Sequence, residues 1–201
     1  LIQPDSREST FQVYCDMNTD KGGWTVIQRR QNGSEDFYLP WISYVRGFGN
    51  IQGEFFLGLD KIRQLTKEPY SELHIDLGEW SGSKSFAKFS SFGIGDSASK
   101  YVLTVSGYSG NAGDSLSLQN GMKFSTYDQK NDVWDGNCAQ TFKGAWWYRA
   151  CHHSNLNGVY LGTSSNGGYV TSFADGVVWY HLKNSFYYSV KSDVMMVREQ
   201  Q

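Results

Sequence analysis

The feature that most constrains this chain is a pair of cysteines, Cys138 and Cys151, that flank a segment rich in large aromatic rings and in turn-forming residues. Trp146, Trp147 and Tyr148 lie there among repeated glycines and asparagines. Glycine and asparagine favour turns and interrupt helices and strands, so the segment is predicted to be irregular backbone held by a covalent cross-link. Rigid irregular loops are where proteins commonly bind ligands, and we expect a binding site here.

Cysteine usage bears on the compartment as well as on the fold. Cys138 and Cys151 are 13 positions apart, and closing a loop of that size stabilises a fold by roughly 3 kcal/mol. The alternative is three reduced thiols, as in a cytosolic protein. Cys15 has no evident partner, and in an oxidising compartment we expect that partner upstream of Leu1. Asn32 begins an Asn-Gly-Ser glycosylation sequence, which favours a secreted, extracellular chain.

The composition favours a folded, soluble domain. With 201 residues, of which 39% are hydrophobic and 16% aromatic, the chain can bury one sizeable core. Its formal net charge is -2 and its basic residues form no cluster, so nucleic acid is not expected as a partner. No stretch approaches the roughly 20 apolar residues of a membrane helix. Leu1 begins no signal-peptide pattern, which suggests a processed or truncated piece of a longer chain.

Regular patterns dominate the first half of the chain. The segments 11–15 and 24–29 flank a glycine turn and predict a hairpin. Apolar spacing over 40–45 and 59–65 predicts two short helices. Period-two alternation predicts three strands of an antiparallel sheet, at 73–77, 86–89 and 101–105.

The second half is mostly irregular. From about residue 108 to 176 the periodic patterns fade, and a structureless run of this length inside a domain is usually a binding region. Order is predicted to return at 177–180 and 187–190, and 195–197 is predicted to close the sheet. The result is an α+β domain over 1–201. Its predicted parts are an N-terminal hairpin region (about 1–40), a sheet region (about 41–115 and 177–201) and a loop-rich ligand region (about 116–176).

The loop 128–137 is rich in oxygen donors. Asp128, Asp132 and Asp135 stand there beside amide side chains. Ca²⁺ takes six to eight oxygen ligands at about 2.3–2.6 Å, so the loop is either a calcium site or a solvated polar turn. Lys130 opposes calcium, because a unit charge is repelled by about 4 kcal/mol at 4 Å for an effective dielectric near 20, and Ca²⁺ by twice that. Lys130 therefore either turns to solvent or takes the cation's place.

Enzymatic motifs are absent from the sequence. The glycine-rich segment 47–53 lacks the context of a dinucleotide fingerprint, and neither a P-loop nor a Gly-x-Ser-x-Gly elbow occurs. His152 and His153 are adjacent, and adjacent histidines rarely bind one tetrahedral zinc ion. Because no nucleophile can be paired with a base, catalysis is not expected.

A series of short segments stands in order along nearly the whole chain, from about residue 11 to 198. They are Tyr14-Cys15-Asp16-Met17, Gly22-Gly23-Trp24-Thr25-Val26-Ile27-Gln28-Arg29-Arg30, Gly47-Phe48-Gly49-Asn50, Ala112-Gly113-Asp114-Ser115-Leu116, Phe124-Ser125-Thr126, Asn137-Cys138-Ala139, Gly144-Ala145-Trp146-Trp147-Tyr148, Cys151-His152 and Asn155-Leu156-Asn157-Gly158. Together they resemble the fibrinogen C-terminal domain family, which includes the ficolins, the tachylectins, and the tenascin and angiopoietin globes.

The resemblance implies the fibrinogen C-terminal globular fold: a central twisted antiparallel sheet with short helices and a long loop-built ligand and calcium region. It also implies that Cys138 pairs with Cys151 and Cys15 with an upstream cysteine. In the family pattern a structural Ca²⁺ takes two aspartates and then carbonyls. Those positions correspond here to Lys130 and Asp132, then to Trp134 and Gly136. Asp128 or Asn131 would have to supply the oxygen that Lys130 lacks.

The resemblance further implies a pocket for acetyl groups. Lectin members bind acetylated sugars beside that loop, and the matching residues here are Phe142, His152, Phe173 and Ala174. Phe142 and Phe173 stand where several lectin members have tyrosine, which keeps an apolar cradle but removes two hydroxyls. A cis peptide can occur before the second cysteine, at Ala150 here.

Two functions remain open, and both belong to a non-catalytic recognition module. The first is a lectin-like binder of acetylated sugars or other acetylated compounds. The second is a matrix or signalling globe that binds a protein receptor on the cell surface, as tenascin-like and angiopoietin-like members do. Multimers formed through upstream regions are expected in either case, because such globes gain affinity by multivalency.

Overall fold

The computed structural model describes residues 1–4, 9–67, 71–162 and 166–199, and eight of its strands form one antiparallel sheet. The strands are β1 (Tyr14–Asp16), β2 (Trp24–Arg30), β3 (Phe48–Gly49), β4 (Phe55–Phe56), β5 (Ser71–Gly78), β6 (Lys84–Ile94), β7 (Leu103–Gly110), β8 (Ser154–Asn155), β9 (Val178–Trp179) and β10 (Ser192–Glu199). The sheet runs in the order β3-β4-β2-β10-β5-β6-β7, and β1 pairs with β2. The strands β8 and β9 pair separately.

The helices are short, as the α+β expectation required. They are α1 (Trp41–Arg46), α2 (Leu59–Thr66), α3 (Cys138–Thr141) and α4 (Tyr180–Lys183). Pro40 precedes α1, where its fixed φ suits a helix start. Leu59, Ile62 and Thr66 form the buried side of α2. Both helices predicted from the first half are thus confirmed.

The core of the sheet follows from the alternation of apolar residues. Leu73, Ile75 and Leu77 are spaced by two along β5, and all three are fully buried. Side chains two apart in a strand point to one face, so this row lies against the core. The predicted hairpin is confirmed in the antiparallel pairing of β1 with β2, where Cys15 lies opposite Thr25.

The last strand lies in the middle of the sheet. We expected 195–197 to close the sheet, but β10 pairs with β2 on one side and with β5 on the other. Met195, Met196 and Val197 are all buried, so both faces of β10 are covered. A continuous apolar run is typical of such a strand, whereas alternation marks a strand with one solvated face.

Three other expectations on regular structure are corrected, whereas the strand predicted at 86–89 is confirmed as part of β6, which runs for 11 residues. The predicted strand at 101–105 begins only at Leu103, because Tyr101 has a positive φ of 53°. No strand forms at 187–190; instead Val190 N donates to the carbonyl of Val177, and Tyr188 makes an isolated bridge with Tyr169. Of the expected 177–180 strand, only Val178–Trp179 forms.

The region between β7 and β10 is irregular but closely packed. Its described residues, 111–162 and 166–191, contain only α3, α4, a single turn of 3-10 helix and the two-residue strands β8 and β9. Trp146, Trp147 and Tyr148 are buried, as expected for aromatic residues that fill core space. Trp147 Nε1 donates to the carbonyl of Tyr101 at 2.8 Å, which joins the region to the end of the sheet.

Candidate functional site

A disulfide closes the base of the irregular region. Cys138 and Cys151 are joined, with their Cα atoms 5.6 Å apart, and the Ala150-Cys151 peptide is cis. Cys138 begins α3, whose N-terminus is capped by Asn137: its Oδ1 accepts from Gln140 N at 3.0 Å. Asparagine is a favoured N-cap because its side chain satisfies a free N–H of the first turn. The cross-link thus ties α3 to the loop that follows Arg149.

Buried side chains hold the irregular backbone from within. Asn155 Nδ2 donates to the carbonyls of Phe142, Ala174 and Gly176 at 3.2, 3.5 and 3.3 Å. Its Oδ1 accepts from the Tyr148 hydroxyl at 2.6 Å. One fully buried amide therefore fixes three separate loop segments, because buried carbonyls without a donor are costly.

The sheet also supports these loops. Arg30 of β2 is buried, and its Nη1 donates to the carbonyls of Leu156 and Gly158 at 2.9 and 2.8 Å. Gln28, two residues earlier, donates to Leu156 O and to Asn157 Oδ1, both at 3.2 Å. A strand side chain thus replaces the backbone partners that these loop carbonyls lack.

The loops enclose a cavity of about 450 Å³ beside the disulfide and the cis peptide. Its lining is mostly apolar. The lining residues are Leu118, Phe142, Arg149, Ala150, Cys151, His152, His153, Phe173, Ala174 and Phe186. All four residues that the resemblance assigns to an acetyl pocket, Phe142, His152, Phe173 and Ala174, line this one cavity; their role in binding remains a prediction.

His152 is the buried polar group of the cavity. Its side chain packs edge-on against Phe142 at 4.9 Å and Phe186 at 6.0 Å between ring centroids, and the residue is 6% exposed. Burial, with a smaller contribution from nearby His153, lowers its pKa to about 3, while the Ala174 backbone opposes the shift. Neither ring nitrogen makes a hydrogen bond of acceptable geometry within the described chain. His152 therefore lines the cavity as a neutral imidazole whose two ring nitrogens are themselves buried.

The rim of the cavity is aromatic and partly exposed. Phe173 is 52% exposed, and its ring lies 5.5 Å from that of Phe186 and 6.4 Å from that of Phe142. Ala174 is buried with a positive φ of 63°, and its N–H donates to the carbonyl of Phe186 at 3.0 Å. The sequence did not single out Phe186, Leu118 or His153 as site residues, because no local pattern brings them to this place.

The oxygen-rich loop 128–137 is connected to the disulfide beside the cavity, through a hydrogen bond between Asp132 and Cys138. The Asp132 carboxylate is fully buried; its Oδ1 accepts from Trp134 N at 3.1 Å, and its Oδ2 accepts from Cys138 N at 3.4 Å. Lys130 Nζ lies 3.4 Å from Asp132 Oδ1 and 3.2 Å from the Asp132 carbonyl oxygen. Of the two alternatives for Lys130, the one in which the ammonium turns to solvent is not what the structure has: the ammonium contacts Asp132.

Of the other residues expected to bind calcium, Asp128 uses its carboxylate for contacts outside this loop. Asp128 Oδ1 accepts from Trp41 N at 2.9 Å and from the Thr126 hydroxyl at 2.6 Å, so this carboxylate caps α1. Trp134 is partly exposed, with its indole folded over Gly136. Over the described ranges no three His, Cys, Asp or Glu residues are placed to hold a metal ion.

The remaining predicted residues lie away from the cavity. Asn32 is exposed, and its Oδ1 accepts from Ser34 N at 3.1 Å. Cys15 is exposed on β1 and unpaired within the described chain. Unlike these two residues, His153 lines the cavity, and its ring stacks on Tyr180 with ring centroids 5.3 Å apart.

Comparison with known proteins agrees with this architecture. The sequence matches the family described as fibrinogen beta and gamma chains, C-terminal globular domain, over residues 1–200. It is 48% identical to Ryncolin-4 of Cerberus rynchops and 46% identical to Fibrinogen C domain-containing protein 1 of Homo sapiens. These matches cover 97% and 98% of this chain but only 55% and 42% of the relatives, so the chain spans about half of their length.

Solved structures give the same result. The fibrinogen-like globe domain of human ANGPTL2 matches with a TM-score of 0.94 at 45% identity, covering 100% of this chain and 91% of that one. A lamprey fibrin D-dimer in complex with the peptide ligand Gly-His-Arg-Pro-amide matches with a TM-score of 0.85 at 32% identity, covering 93% and 64%.

The chain is a fibrinogen-like recognition domain, a class of non-enzymatic binding modules. It belongs to the fibrinogen C-terminal globular domain family. In the part of the chain that the structure describes, no helix has the length and apolar character needed to cross a membrane.

Proposed function

We propose that this domain binds compounds that carry an acetyl group, in the cavity around His152. The observation that carries the proposal is the buried, neutral imidazole of His152, neither nitrogen of which makes a hydrogen bond of acceptable geometry inside an otherwise aromatic cavity. A buried polar group without a partner is costly, and a ligand that supplies the partner recovers that cost.

An acetyl group matches this chemistry at both ends. Its methyl group suits the apolar surface formed by Phe142 and Phe173, and burying one methyl contributes roughly 0.8 kcal/mol. Its carbonyl oxygen accepts a hydrogen bond, which a neutral imidazole donates from either nitrogen according to its tautomer. The two phenylalanines offer no hydroxyl to the rest of a sugar, so we expect weak binding by a single domain.

A protein ligand is the second candidate, and the exposed rim favours it. Phe173 and Tyr187 are both half-exposed and contact each other, with ring centroids 5.3 Å apart. Exposed aromatic groups of this kind are typical of protein-binding surfaces. The related lamprey fibrin structure contains a peptide ligand. A cell-surface receptor captured by this domain and not released by acetylated sugars would favour this candidate.

We further propose that the domain works outside the cell, as part of a larger assembly. The Cys138–Cys151 disulfide is typical of oxidising compartments, and exposed Asn32 suits a glycosylation site. Exposed Cys15 has room for a partner from an upstream segment. Several linked copies would raise the avidity of a weak site.

Titration calorimetry tests the acetyl proposal. N-acetylglucosamine is the probe, and glucosamine and glucose are the controls that lack the acetyl group. We expect binding of the first alone, at millimolar affinity, with a loss of about tenfold in Phe173→Ala. Phe86→Ala is the matched control, because Phe86 is a partly exposed phenylalanine on β6 outside the cavity. The proposal would be refuted if all three sugars bound equally well, or if no binding of any of them were detected.

A further inference from the structure

The family resemblance implies a calcium ion bound by Asp132, and in this chain the Lys130 ammonium lies beside that residue. Lys130 Nζ lies 3.2 Å from the Asp132 carbonyl oxygen and 3.4 Å from Asp132 Oδ1. The Asp132 carboxylate is fully buried, whereas the Lys130 side chain is 37% exposed. The ammonium therefore reaches inward from the surface and contacts both a carboxylate and a carbonyl oxygen of the same residue.

A divalent ion does not fit beside this ammonium. Ca²⁺ needs six or more oxygens, and its double charge would be repelled by Lys130 at a few ångströms. The side chains of the two residues that could replace the missing carboxylate are each held by hydrogen bonds to other parts of the chain. Asp128 Oδ1 accepts from the N-terminus of α1, while Asn131 Nδ2 donates to the carbonyl of Phe124 at 2.7 Å.

The Asp132 loop also supports a wall of the cavity. Asp132 Oδ2 accepts from the N–H of Cys138, which is half of the disulfide. Val133 N donates to the carbonyl of Arg149 at 3.1 Å, and Arg149 lines the cavity. A cation that neutralises the Asp132 carboxylate therefore also stabilises the segment that runs from Arg149 through the cis peptide to His152.

We propose that Lys130 is a built-in cation that replaces calcium, so that the recognition loops of this domain are ordered without a metal ion. The ammonium neutralises the buried Asp132 carboxylate and bonds its carbonyl, the two tasks that a bound ion would perform there. The chemistry of the cavity is then insensitive to calcium. The inference rests on the Lys130–Asp132 contact and holds whether or not the cavity binds acetyl groups.

Thermal unfolding measured with and without calcium tests the proposal, and it requires no ligand for the cavity. The wild-type chain is expected to have the same Tm in millimolar CaCl₂ and in EDTA, within about 1 °C. Lys130→Asp supplies the missing carboxylate. We expect its Tm to be lower than wild type in EDTA and to rise by about 3–8 °C in CaCl₂.

Two controls keep the test decisive. Lys123→Asp makes the same charge change at an exposed lysine just before Phe124, and it should show no response to calcium. Lys130→Met removes the ammonium but keeps the length of the side chain. It should lower the Tm by about 3 °C with or without calcium, because the buried Asp132 carboxylate loses its cation.

Several results would overturn the proposal. One is a wild-type Tm that falls in EDTA, or calorimetric binding of one Ca²⁺ by the wild-type chain. Another is a folded Lys130→Asp variant whose Tm is the same in CaCl₂ and in EDTA. That result would mean that Lys130 is not the group that excludes the ion. A Lys130→Met variant with the same Tm as the wild-type chain would show that the Lys130 ammonium does not stabilise the buried Asp132 carboxylate.

Discussion

The sheet and the loop region around His152 are both well packed, but they are held by different means. In the sheet, rows of buried apolar residues such as Leu73, Ile75 and Leu77 lie on strands whose backbone groups pair with neighbouring strands. In the loop region, carbonyls that have no strand partner accept from buried side chains, as those of Phe142 and Gly176 do from Asn155. Stability is spread over many residues in the first region and concentrated on a few in the second.

This difference explains why the cavity lies in the loops. Irregular backbone can present a cis peptide, a buried histidine and an aromatic rim at one place, which a regular strand cannot do. Such backbone needs internal donors to remain rigid, and Arg30 and Gln28 of β2 supply some of them. The sheet therefore serves as a base on which the loops of the cavity are anchored.

The largest effect is expected from Asn155→Ala. The substitution leaves the carbonyls of Phe142, Ala174 and Gly176 and the hydroxyl of Tyr148 without their partner. At about 1 kcal/mol or more for each unsatisfied buried group, the free energy of unfolding should fall by about 4 kcal/mol. Urea unfolding measures this. Asn50→Ala, which removes only a turn contact to Gln52 N, should cost less than 1 kcal/mol. Similar costs at both positions would remove the contrast between the regions.

The next largest effect is expected from loss of the disulfide. Replacing Cys138 and Cys151 together by serine should lower the free energy of unfolding by roughly 3 kcal/mol, because a closed loop of 13 residues becomes free in the unfolded chain. Acetyl binding should fall more than tenfold, since the loop before His152 is released. Cys15→Ser is the control and should change neither quantity. Unchanged ligand binding in the double variant would mean that the cavity does not need its cross-link.

A substitution in the sheet should have a smaller effect. Ile75→Val removes one methyl group from a fully buried position on β5, and should lower the free energy of unfolding by about 1 kcal/mol. Ligand affinity should not change, because the neighbouring strands preserve the backbone. Urea unfolding and calorimetry on one preparation give both quantities. A loss of binding here would show that the sheet does more than support the loops.

The smallest effect on ligand binding is expected from a change of pH between 8 and 5. Burial lowers the pKa of His152 to about 3, so its imidazole stays neutral from pH 8 down to about pH 5, and acetyl binding should be constant in that range. His153 lines the same cavity, and burial and His181 lower its pKa as well, so the measurement is repeated in His153→Gln. An affinity that falls with a midpoint near pH 6.5 in both chains would contradict a buried, neutral His152.

The same histidine has a defined effect on stability. Its pKa is lower in the folded chain than the usual value near 6.5, so the unfolded chain binds a proton that the folded chain does not. Its contribution to stability is therefore complete above about pH 6.5 and is lost as pH falls toward 3, at up to about 1.4 kcal/mol per pH unit.

The sequence predicts the regular part of the molecule well because its signals are local. Alternation identifies β5, and the spacing of Leu59 and Ile62 identifies α2. The position of β10 in the middle of the sheet could not be predicted in this way, because the sequence of a strand does not specify which strands pair with it. The bonds from Arg30 to Gly158 and from Asn155 to Gly176 join residues far apart, so no periodic pattern reveals the loop structure.

The site itself was predicted by resemblance and not by pattern. The tertiary fold brings four residues from separate parts of the sequence to one cavity: Phe142, His152, Phe173 and Ala174. Phe186 was missed because the residues before Tyr187 carry no motif of their own. In the oxygen-rich loop, the carboxylates suggested a bound ion, and the structure shows the Lys130 ammonium in contact with Asp132.

The most direct test of the account is a crystal structure of this chain grown with N-acetylglucosamine. The account predicts the acetyl methyl within about 4 Å of the rings of Phe142 and Phe173, and the acetyl oxygen or nitrogen within hydrogen-bond distance of a polar group of the cavity wall, such as a ring nitrogen of His152. A sugar bound elsewhere on the surface, with the cavity around His152 left empty, would contradict it.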